Sequence, residues 1–372
     1  MKIAIHVADL DNERIDGTRV YLLNMLKNFG KLDEQAKFTL YHRNEFNRQL
    51  TPPSFKNYLI KKIPFPIFWT QTRLAWQLFR DRPDVLWMPL HNMPILRRKK
   101  LKVVVTIHDL AFKIFPQYFP KKELAKLNRL TDYAIKNADG IIAVSQATRN
   151  DILKFYPAVS AGKIKVIHHG FDTQLFKIKK AEIGNSEILS KFKIKNSKFI
   201  LYVGAIQPRK NLIVLVEAFE QIKKNQPELK LVLAGAPAWN FKETLERIKG
   251  SIYAEDIMVT GKVPFESLVV FYRNASAFIF PSIYEGFGIP VLEAMASGTP
   301  TIIANNSSLP EAGGKAALYF NASSSQELAA CVARVLSDEA LRTQMIAAGL
   351  LQVQKFSWEK CAQETLEFIS FL

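Results

Sequence analysis

The stretch that decides the fold is PSIYEGFGIPVLEAMASGTP, residues 281–300. It follows the apolar run 277–280, which has the composition of a buried strand. In the loop after that run, Gly286 and Gly288 allow the backbone to approach a ligand closely, and Pro290 suits the first turn of a helix. A helix that begins where a strand ends presents free N–H groups to an anion. The stretch therefore predicts an open α/β sheet with a ligand site at its carboxyl edge.

The rest of the chain repeats this alternation of strands and helices. Nearly continuous apolar runs, such as 103–105 and 231–233, indicate parallel strands that are buried on both faces. Segments with helical apolar spacing, such as 212–222 and 328–336, lie between the runs. The sequence therefore predicts two doubly wound domains. Their strands are expected at 2–7, 38–42, 85–88, 102–108, 140–145 and 164–168, and then at 199–204, 230–235, 257–261, 277–281, 300–304 and 316–319.

This pattern predicts four parts along the chain. An N-terminal Rossmann-like domain is expected at 1–175 and a C-terminal one at 196–355. The stretch 176–195 is predicted to be a linker, because it is rich in lysine and polar residues and lacks apolar periodicity. An amphipathic helix is expected at 356–372.

Composition excludes several classes of protein. The 372 residues are 48% hydrophobic, which excludes a disordered chain, and two cysteines exclude a disulfide framework. The low cysteine count is typical of a reducing cytoplasm, where we expect this protein to act. A net charge of +17 favours polyanionic partners: nucleic acid, anionic lipid or phosphorylated ligands.

Two carboxylates, Glu285 and Glu293, lie on either side of the glycine-rich turn. A single glutamate here would most often cap the loop or face solvent. Two of them around a helix that starts with proline favour a hydroxyl-rich ligand, because carboxylates accept hydrogen bonds from hydroxyls.

A second strand, loop and helix start lies at LYVGAIQPRKN, residues 201–211. An adjacent arginine and lysine are most often a solvated surface pair. Arg209 and Lys210 lie at the carboxyl edge of the same predicted sheet as Glu285. There they instead suit a diphosphate, because a guanidinium offers two parallel donors and an ammonium a point charge.

Together these segments resemble the retaining family-4 glycosyltransferases of the GT-B fold. The family's Glu-x7-Glu motif is matched by Glu285 and Glu293, and its Arg/Lys diphosphate site by Arg209 and Lys210. In the N-terminal half, residues 106–110 (TIHDL) resemble the family's Thr-x-His-Asp stretch. The resemblance covers most of the chain and implies two Rossmann-like domains that face a central cleft, with the acceptor in the first, the nucleotide sugar in the second, and the last helix crossing back to the first.

The resemblance also implies roles for individual residues. Glu293 would bind the ribose hydroxyls, Glu285 the hydroxyls of the donor hexose, and His108 would lie near that hexose. Arg209 and Lys210 would stabilise the leaving diphosphate. Where family members have two adjacent glycines after the first strand, this chain has one. The remaining donor or nucleotide contacts would come from Gly17, Gly204, Val263, Gly286, Phe287, Gly288 and Leu292.

No metal or cofactor is expected. Asp9-Leu10-Asp11 resembles the Asp-x-Asp metal motif of the other major glycosyltransferase fold, but it directly follows the first strand and has no evident partner segment. Two basic side chains and a helix N-terminus can neutralise a leaving diphosphate without a metal.

The expected activity is transfer of a hexose to a hydroxyl of a glycan or lipid-linked glycan. The TIHDL form resembles mannosyltransferases of bacterial polysaccharide assembly and favours GDP-mannose, while UDP-glucose, UDP-galactose and UDP-GlcNAc stay open. Two alternatives are a catalytically silent GT-B scaffold and a nucleic-acid-binding protein. The second is disfavoured because the glutamate pair would repel phosphates, so we expect no nucleic-acid partner.

Basic and aromatic residues cluster in the N-terminal half, at 61–69, 97–102 and 112–122. Such clusters are typical of a surface that binds anionic lipid, and they are equally compatible with solvated loops and core aromatics. The first interpretation predicts a peripheral position at the inner face of the cell membrane.

Overall fold

The computed structural model describes residues 1–13, 15–177 and 186–372. Packing divides the chain into two units. Unit 1 is Met1–Gly170 together with Phe356–Leu372, and unit 2 is Phe171–Lys355. Of the predicted linker 176–195, residues 178–185 lie outside the described residues.

Unit 1 is built on a parallel sheet with the strand order β3-β2-β1-β4-β5-β6-β7. All six strands predicted for this half are confirmed, with ends that differ by one or two residues. Because β4, β6 and residues 103–107 of β5 are buried and almost entirely apolar, they form the core of the unit. The strands are β1 (Lys2–His6), β2 (Lys37–His42), β3 (Tyr58–Lys62), β4 (Val85–Met88), β5 (Lys102–Ile107), β6 (Gly140–Ala143) and β7 (Ile164–Val166).

The edge strand β3 was not predicted. Lys61 and Lys62, which the sequence placed in a lipid-binding cluster, belong to this strand, and they pair with Asp81 and Glu45. Lysines on an edge strand discourage pairing with another sheet. The cluster 61–69 is thus only partly an apolar surface, with Phe65, Ile67 and Phe68 exposed.

Unit 2 is built on a second parallel sheet, with the order β10-β9-β8-β11-β12-β13. The predicted strands are confirmed, although the last one is shifted toward the C-terminus by one to two residues. The strands are β8 (Phe199–Val203), β9 (Lys230–Ala234), β10 (Ile257–Gly261), β11 (Ala277–Phe280), β12 (Thr301–Ala304) and β13 (Leu318–Phe320).

Helices connect the strands of both units. Unit 1 contains α1 (Gly17–Leu32), α2 (Ala75–Asp81), α3 (Ala111–Ile114), α4 (Lys121–Asn137) and α5 (Gln146–Phe155). Unit 2 contains α6 (Thr173–Phe176), α7 (Ser186–Lys191), α8 (Leu212–Lys223), α9 (Lys242–Lys249), α10 (Phe265–Asn274), α11 (Ile289–Ala296), α12 (Leu309–Gly313), α13 (Ser325–Ser337) and α14 (Glu339–Val353), and the last helix is α15 (Trp358–Phe371). In the described part of the chain, no helix has the length and apolar character needed to span a membrane.

The C-terminal helix α15 packs against α1 and so belongs to unit 1. It begins after Ser357, whose hydroxyl accepts a hydrogen bond of 3.1 Å from the backbone N–H of Lys360. Its start lies so close to Gly170 that a Cβ on this glycine would be 2.1 Å from the nitrogen of Trp358. Glycine at 170 therefore permits this contact.

In each sheet the strand order reverses once, between β1 and β4 in unit 1 and between β8 and β11 in unit 2. Open α/β sheets bind ligands at such a point, beyond the carboxyl ends of the strands. The fold therefore offers one such position in each unit.

Candidate functional site

Three of the predicted site residues meet at the switch point of unit 2. Arg209 and Lys210 lie in the short helical turn Pro208–Lys210 after β8, and Glu285 lies in the loop after β11. Arg209 Nη1 is 3.1 Å from Glu285 Oε2, and Lys210 Nζ donates to Glu285 Oε1. Arg209 also donates to the carbonyl of Tyr284. The sequence predicted that these residues share a site, but it did not predict that they form ion pairs with one another.

This cluster is buried and carries a net positive charge. Burial by itself would raise the pKa of Glu285, but the nearby charges of Lys210 and Arg209 lower it to about 2. Glu285 is therefore ionised at neutral pH, and two cations face one carboxylate. Lys210 Nζ also lies 5.1 Å from the centre of the Phe280 ring, a cation–π contact. The net positive charge of two cations beside one carboxylate suits an anionic ligand.

The loop that carries Glu285 is held by two serines that the sequence analysis did not single out. The N–H of Glu285 donates to Ser307 Oγ at 3.0 Å. The buried hydroxyl of Ser308 lies 2.9 Å from the carbonyls of both Glu285 and Phe287. These bonds fix the backbone on both sides of Gly286, where the sequence predicted a ligand contact.

The helix α11 begins as predicted. Its N-cap is Gly288, with a φ of 110°, a conformation that favours glycine. Leu292 and Phe287, predicted to contact the donor, are buried in the core of unit 2, with 0% and 3% of their surface exposed. Neither residue therefore presents its side chain at the surface of unit 2.

Glu293 is held by a partner from the preceding helix. Tyr272 of α10 donates its hydroxyl to Glu293 Oε2 at 2.9 Å. Burial raises the pKa of Glu293 to about 7, against the smaller lowering effect of the Tyr272 hydrogen bond. The pKa values of the two glutamates of the predicted motif are thus shifted in opposite directions. Glu285 is fully ionised at neutral pH, and Glu293 titrates near neutrality.

Gly204 and Val263 lie at the carboxyl edge of the same sheet. Gly204 directly follows β8 and has a φ of 151°. Val263 is half-buried between β10 and α10.

Gly17 and His108 belong to unit 1. Gly17 is the first residue of α1, and a Cβ placed on it would meet open space. The helix is capped by Asp16, which accepts a hydrogen bond from the backbone N–H of Arg19 at 3.3 Å.

His108 follows β5, and its ring packs 4.9 Å from the ring of Tyr21. Burial lowers its pKa to about 4, so the imidazole is neutral at pH 7. Its Nε2 is 2.9 Å from the carbonyl of Pro89. Because a carbonyl can only accept, Nε2 carries the proton, and Nδ1 then has the lone pair that accepts a bond from a hydroxyl.

The Asp-x-Asp segment of the sequence lies at the end of β1 in unit 1. Asp11 Oδ2 accepts bonds from the backbone N–H groups of Arg43 and Asn44, at 2.9 and 2.7 Å. Within the described ranges, no group of three or more His, Cys, Asp or Glu side chains is arranged to hold a metal ion.

Two protein-family models match the chain, and together they cover most of it. The model described as Glycosyltransferase Family 4 matches residues 15–175, and the model described as Glycosyl transferases group 1 matches residues 185–352.

Curated proteins with similar sequences include two from Escherichia coli. O-antigen chain mannosyltransferase B is 30% identical over 304 residues, which are 81% of this chain and 77% of that protein. The serotype-specific mannosyltransferase WbdA is 28% identical over 286 residues, 75% of this chain. The matched part is 34% of WbdA, so this chain corresponds to about a third of that protein.

Among solved structures, that of Anabaena HepE in complex with UDP and glucose resembles this chain over its whole length. The TM-score is 0.76 with 20% sequence identity, and 100% of each chain is covered. This likeness confirms the predicted GT-B fold.

Proposed function

The chain belongs to the family-4 glycosyltransferases, and on that basis we propose that it transfers a hexose from a nucleoside-diphosphate sugar to a hydroxyl of a glycan. The observation that carries this proposal is the cluster of Arg209, Lys210 and Glu285 at the switch point of unit 2. It combines two cations for a diphosphate with a carboxylate for hydroxyls. Unit 2 would bind the donor and unit 1 the acceptor.

We propose that Arg209 and Lys210 stabilise the charge that develops as the diphosphate leaves. An oriented cation contributes most where charge grows in the transition state. Neither cation needs to release Glu285 to do so, because two cations paired with one carboxylate still carry a net positive charge that attracts a diphosphate. We propose that these two side chains, with the N-terminus of α11, make a metal ion unnecessary.

We further propose that the configuration at the anomeric carbon is retained. The acceptor oxygen bonds to the anomeric carbon, the bond from that carbon to the diphosphate oxygen breaks, and the acceptor proton passes to the departing phosphate. Glu285 is a poor base because its pKa is about 2, which supports a route that does not use it as the proton acceptor. Glu285 would instead hold the donor hexose through its hydroxyls, and Glu293 would hold the ribose. His108 would contact the donor hexose, and Val263 the nucleotide base through its backbone.

GDP-mannose is the proposed donor. Two relatives are mannosyltransferases by name, and the TIHDL stretch resembles that of mannosyltransferases of bacterial polysaccharide assembly. UDP-glucose is the alternative, supported by the complex of HepE with UDP and glucose.

An exposed apolar face of unit 1 supports contact with an anionic membrane. Trp76 and Phe79 on α2 are exposed, and Arg73 and Arg80 lie 5.0 and 5.7 Å from the Trp76 ring. Side chains three or four residues apart share one helix face, so this face combines aromatic rings with cations, as in helices that lie in a lipid interface. The predicted cluster 112–122 contributes less, because Phe112 is buried.

A thermal-shift panel of GDP, UDP, ADP and their sugars tests the donor site. A ligand that binds only the folded state raises the melting temperature. We expect GDP and GDP-mannose to give the largest increases, and transfer of mannose to a mannan oligosaccharide to be detectable by mass spectrometry. Absence of any shift across the panel would refute the donor site.

A further inference from the structure

Asn211 is the residue at which the turn that carries Arg209 and Lys210 passes into helix α8. Its φ and ψ are 58° and 38°, in the left-handed region that glycine adopts easily and, among the other residues, asparagine most often. Its backbone N–H donates to the carbonyl of Pro208 at 2.9 Å and closes the turn. Asparagine at 211 thus permits a sharp change of chain direction directly after the two cations, and it places a side-chain amide there that glycine would lack.

This amide joins three loops at the carboxyl edge of the sheet of unit 2. Asn211 Nδ2 donates to the carbonyl of Pro281 at 3.1 Å and to the carbonyl of Ala322 at 2.7 Å. Pro281 directly follows β11, and Ala322 lies two residues after β13. Because a carbonyl can only accept, both N–H groups of the amide are engaged. Since β11 and β12 lie between β8 and β13 in the sheet, the amide connects loops of strands that are not neighbours.

Further contacts join the same turn to the loop 281–288. The N–H of Ile283 donates to the carbonyl of Arg209 at 3.0 Å, and the guanidinium of Arg209 donates to the carbonyl of Tyr284. Both cations then pair with Glu285. The turn and the loop therefore lie side by side over several residues.

The position of the cations depends on how firmly this loop is held. Asn211 holds its first residue, and the hydroxyls of Ser307 and Ser308 hold its backbone around Glu285. An oriented cation stabilises developing charge because it does not have to reorganise during the reaction, and a misplacement of about 1 Å can lower a rate about 10²-fold. The ion pairs with Glu285 can orient the cations only while the loop itself stays in place.

We propose that Asn211 is a positioning residue of the donor site. Through its two amide hydrogen bonds it holds the loop of Glu285 against the turn of Arg209 and Lys210, and it thereby keeps both cations in the orientation that transfer requires. This inference rests on the proposed transferase function and adds to it a residue that touches neither substrate.

Hydrogen exchange of the full chain, followed by mass spectrometry without any ligand, tests the contact itself. Asn211→Gly removes the amide and keeps a residue that adopts the left-handed conformation. We expect the peptide that contains residues 283–285 to exchange about tenfold faster than in the native protein, while peptides of unit 1 keep their native rates. Asn211→Asp is the second variant, because aspartate also adopts this conformation but its carboxylate cannot donate to the two carbonyls. Native exchange of this peptide in a folded variant would overturn the proposal.

Steady-state kinetics with GDP-mannose separate positioning from stability. In Asn211→Gly both cations are still present to attract the diphosphate, but they are less well oriented. We therefore expect kcat to fall about ten- to a hundred-fold and the KM for the donor to change less than about threefold. A native kcat in the folded variant, or a loss confined to KM, would overturn the proposal.

A double-mutant cycle with Lys210→Met tests whether Asn211 acts through the cations. If it does, Asn211→Gly lowers kcat less in the Lys210→Met protein than in the native one. Losses that simply multiply would overturn this route.

Asn57→Gly is the matched control. Asn57 of unit 1 is also half-buried, and its Nδ2 also donates to two carbonyls, of Gly30 and Asp33, at 3.2 and 2.9 Å. We expect Asn57→Gly to lower the melting temperature and to keep the native kcat. An equal loss of kcat in both variants would overturn the proposal, because lost stability would then explain both.

Failure of this proposal is distinguishable from failure of the transferase function. If the native protein transfers a hexose and folded Asn211→Gly does so at the native rate, only the role of Asn211 is wrong. If the native protein neither binds a donor nucleotide nor transfers a hexose, the proposed function fails, and the role of Asn211 fails with it.

Discussion

Replacement of Lys210 by methionine tests the proposed catalytic contribution of the ion-paired cluster separately from its structural contribution. Lys210 is buried, donates to Glu285 and contributes the largest favourable charge effect on that carboxylate. Methionine keeps much of the side-chain volume and removes the charge. We expect turnover to fall about 10²- to 10³-fold, the usual cost of removing one donor that stabilises transition-state charge.

The magnitude of the stability loss follows from the pKa of Glu285. Its fall from the ordinary 4.5 to about 2 corresponds to about 3 kcal/mol of unfolding free energy. This contribution is present above pH 4.5 and is lost as the pH falls through 2, because the folded state binds the proton more weakly than the unfolded state. Arg209, which is 3.1 Å from Glu285 in the native protein, should still pair with it in the variant, so we expect a loss of about 2 kcal/mol, below the cost of leaving a buried charge with no partner.

Lys223→Met is the matched control. Lys223 is also a buried lysine of unit 2, with an ion pair of 2.7 Å to Asp256 and a cation–π contact of 5.6 Å to Tyr253. We expect it to lose a comparable amount of stability and to retain turnover.

The assay combines steady-state kinetics with purified donor and acceptor, donor hydrolysis without acceptor, and thermal unfolding of all three proteins. The site assignment is refuted if Lys210→Met turns over within about threefold of the native rate. It is also refuted if Lys210→Met and Lys223→Met lose the same fraction of activity, because stability alone would then explain both.

Four further predictions concern other features of the two units. Burial raises the pKa of Glu293 to about 7, so the folded protein binds this proton more tightly than the unfolded chain, and ionised Glu293 destabilises the fold progressively as the pH rises from 4.5 to 7. We expect Glu293→Gln to remove that part of the pH dependence of the unfolding free energy, measured by urea unfolding. An unaltered pH profile would contradict the assignment. Tyr272→Phe removes a hydrogen bond that lowers the pKa of Glu293, so we expect the midpoint of the pH dependence of GDP affinity to rise, measured by calorimetry between pH 6 and 8. An unshifted midpoint would argue against coupling between Glu293 ionisation and GDP binding. Ser308→Ala removes the hydroxyl that holds both sides of the Glu285 loop, so we expect kcat to fall about tenfold with little loss of nucleotide binding, and a native kcat would show that the loop needs no such support. Finally, Trp76→Ser should reduce sedimentation with vesicles that contain anionic lipid, whereas no preference of the native protein for anionic over neutral vesicles would refute the membrane face.

The strands were predictable because they are buried on both faces. Val103, Val104 and Val105 form an uninterrupted β-branched run, and residues 231–233 (Leu-Val-Leu) form an uninterrupted apolar run, as is typical of strands buried on both faces. The strand β3 could not be found this way, since Leu59 and Ile60 are exposed at the edge of the sheet and its lysines follow directly. An edge strand is stabilised by its neighbour's backbone, here β2, and that pairing has no local sequence pattern.

The charged residues of the candidate site could be singled out for a different reason. Glycine and proline determine the backbone locally, so a turn such as that at Gly288 indicates a strand-to-helix junction from sequence alone. The hydroxyls of Tyr272 and Ser308 left no such signal. They bond to Glu293 and to the Glu285 loop across 21 and 23 residues, and such contacts depend on how helices and strands pack rather than on spacing along the chain.

The ion pairs of Glu285 have a consequence for how the donor is bound. Two adjacent buried cations without a counter-charge would repel one another and would be costly to desolvate before any ligand arrived. Glu285 offsets that cost and fixes both side chains, so the proposed diphosphate would meet cations that are already oriented. A hexose that donates its hydroxyls to Glu285 would weaken the ion pair between that carboxylate and Lys210 and leave more of the lysine's charge for the diphosphate.

Sugar and diphosphate would thereby bind cooperatively, so Lys210 should contribute less to the affinity for free GDP than to the affinity for GDP-mannose. The affinity loss caused by Lys210→Met should accordingly be larger for GDP-mannose than for GDP in a calorimetric titration, and equal losses for both ligands would show that Glu285 does not couple them.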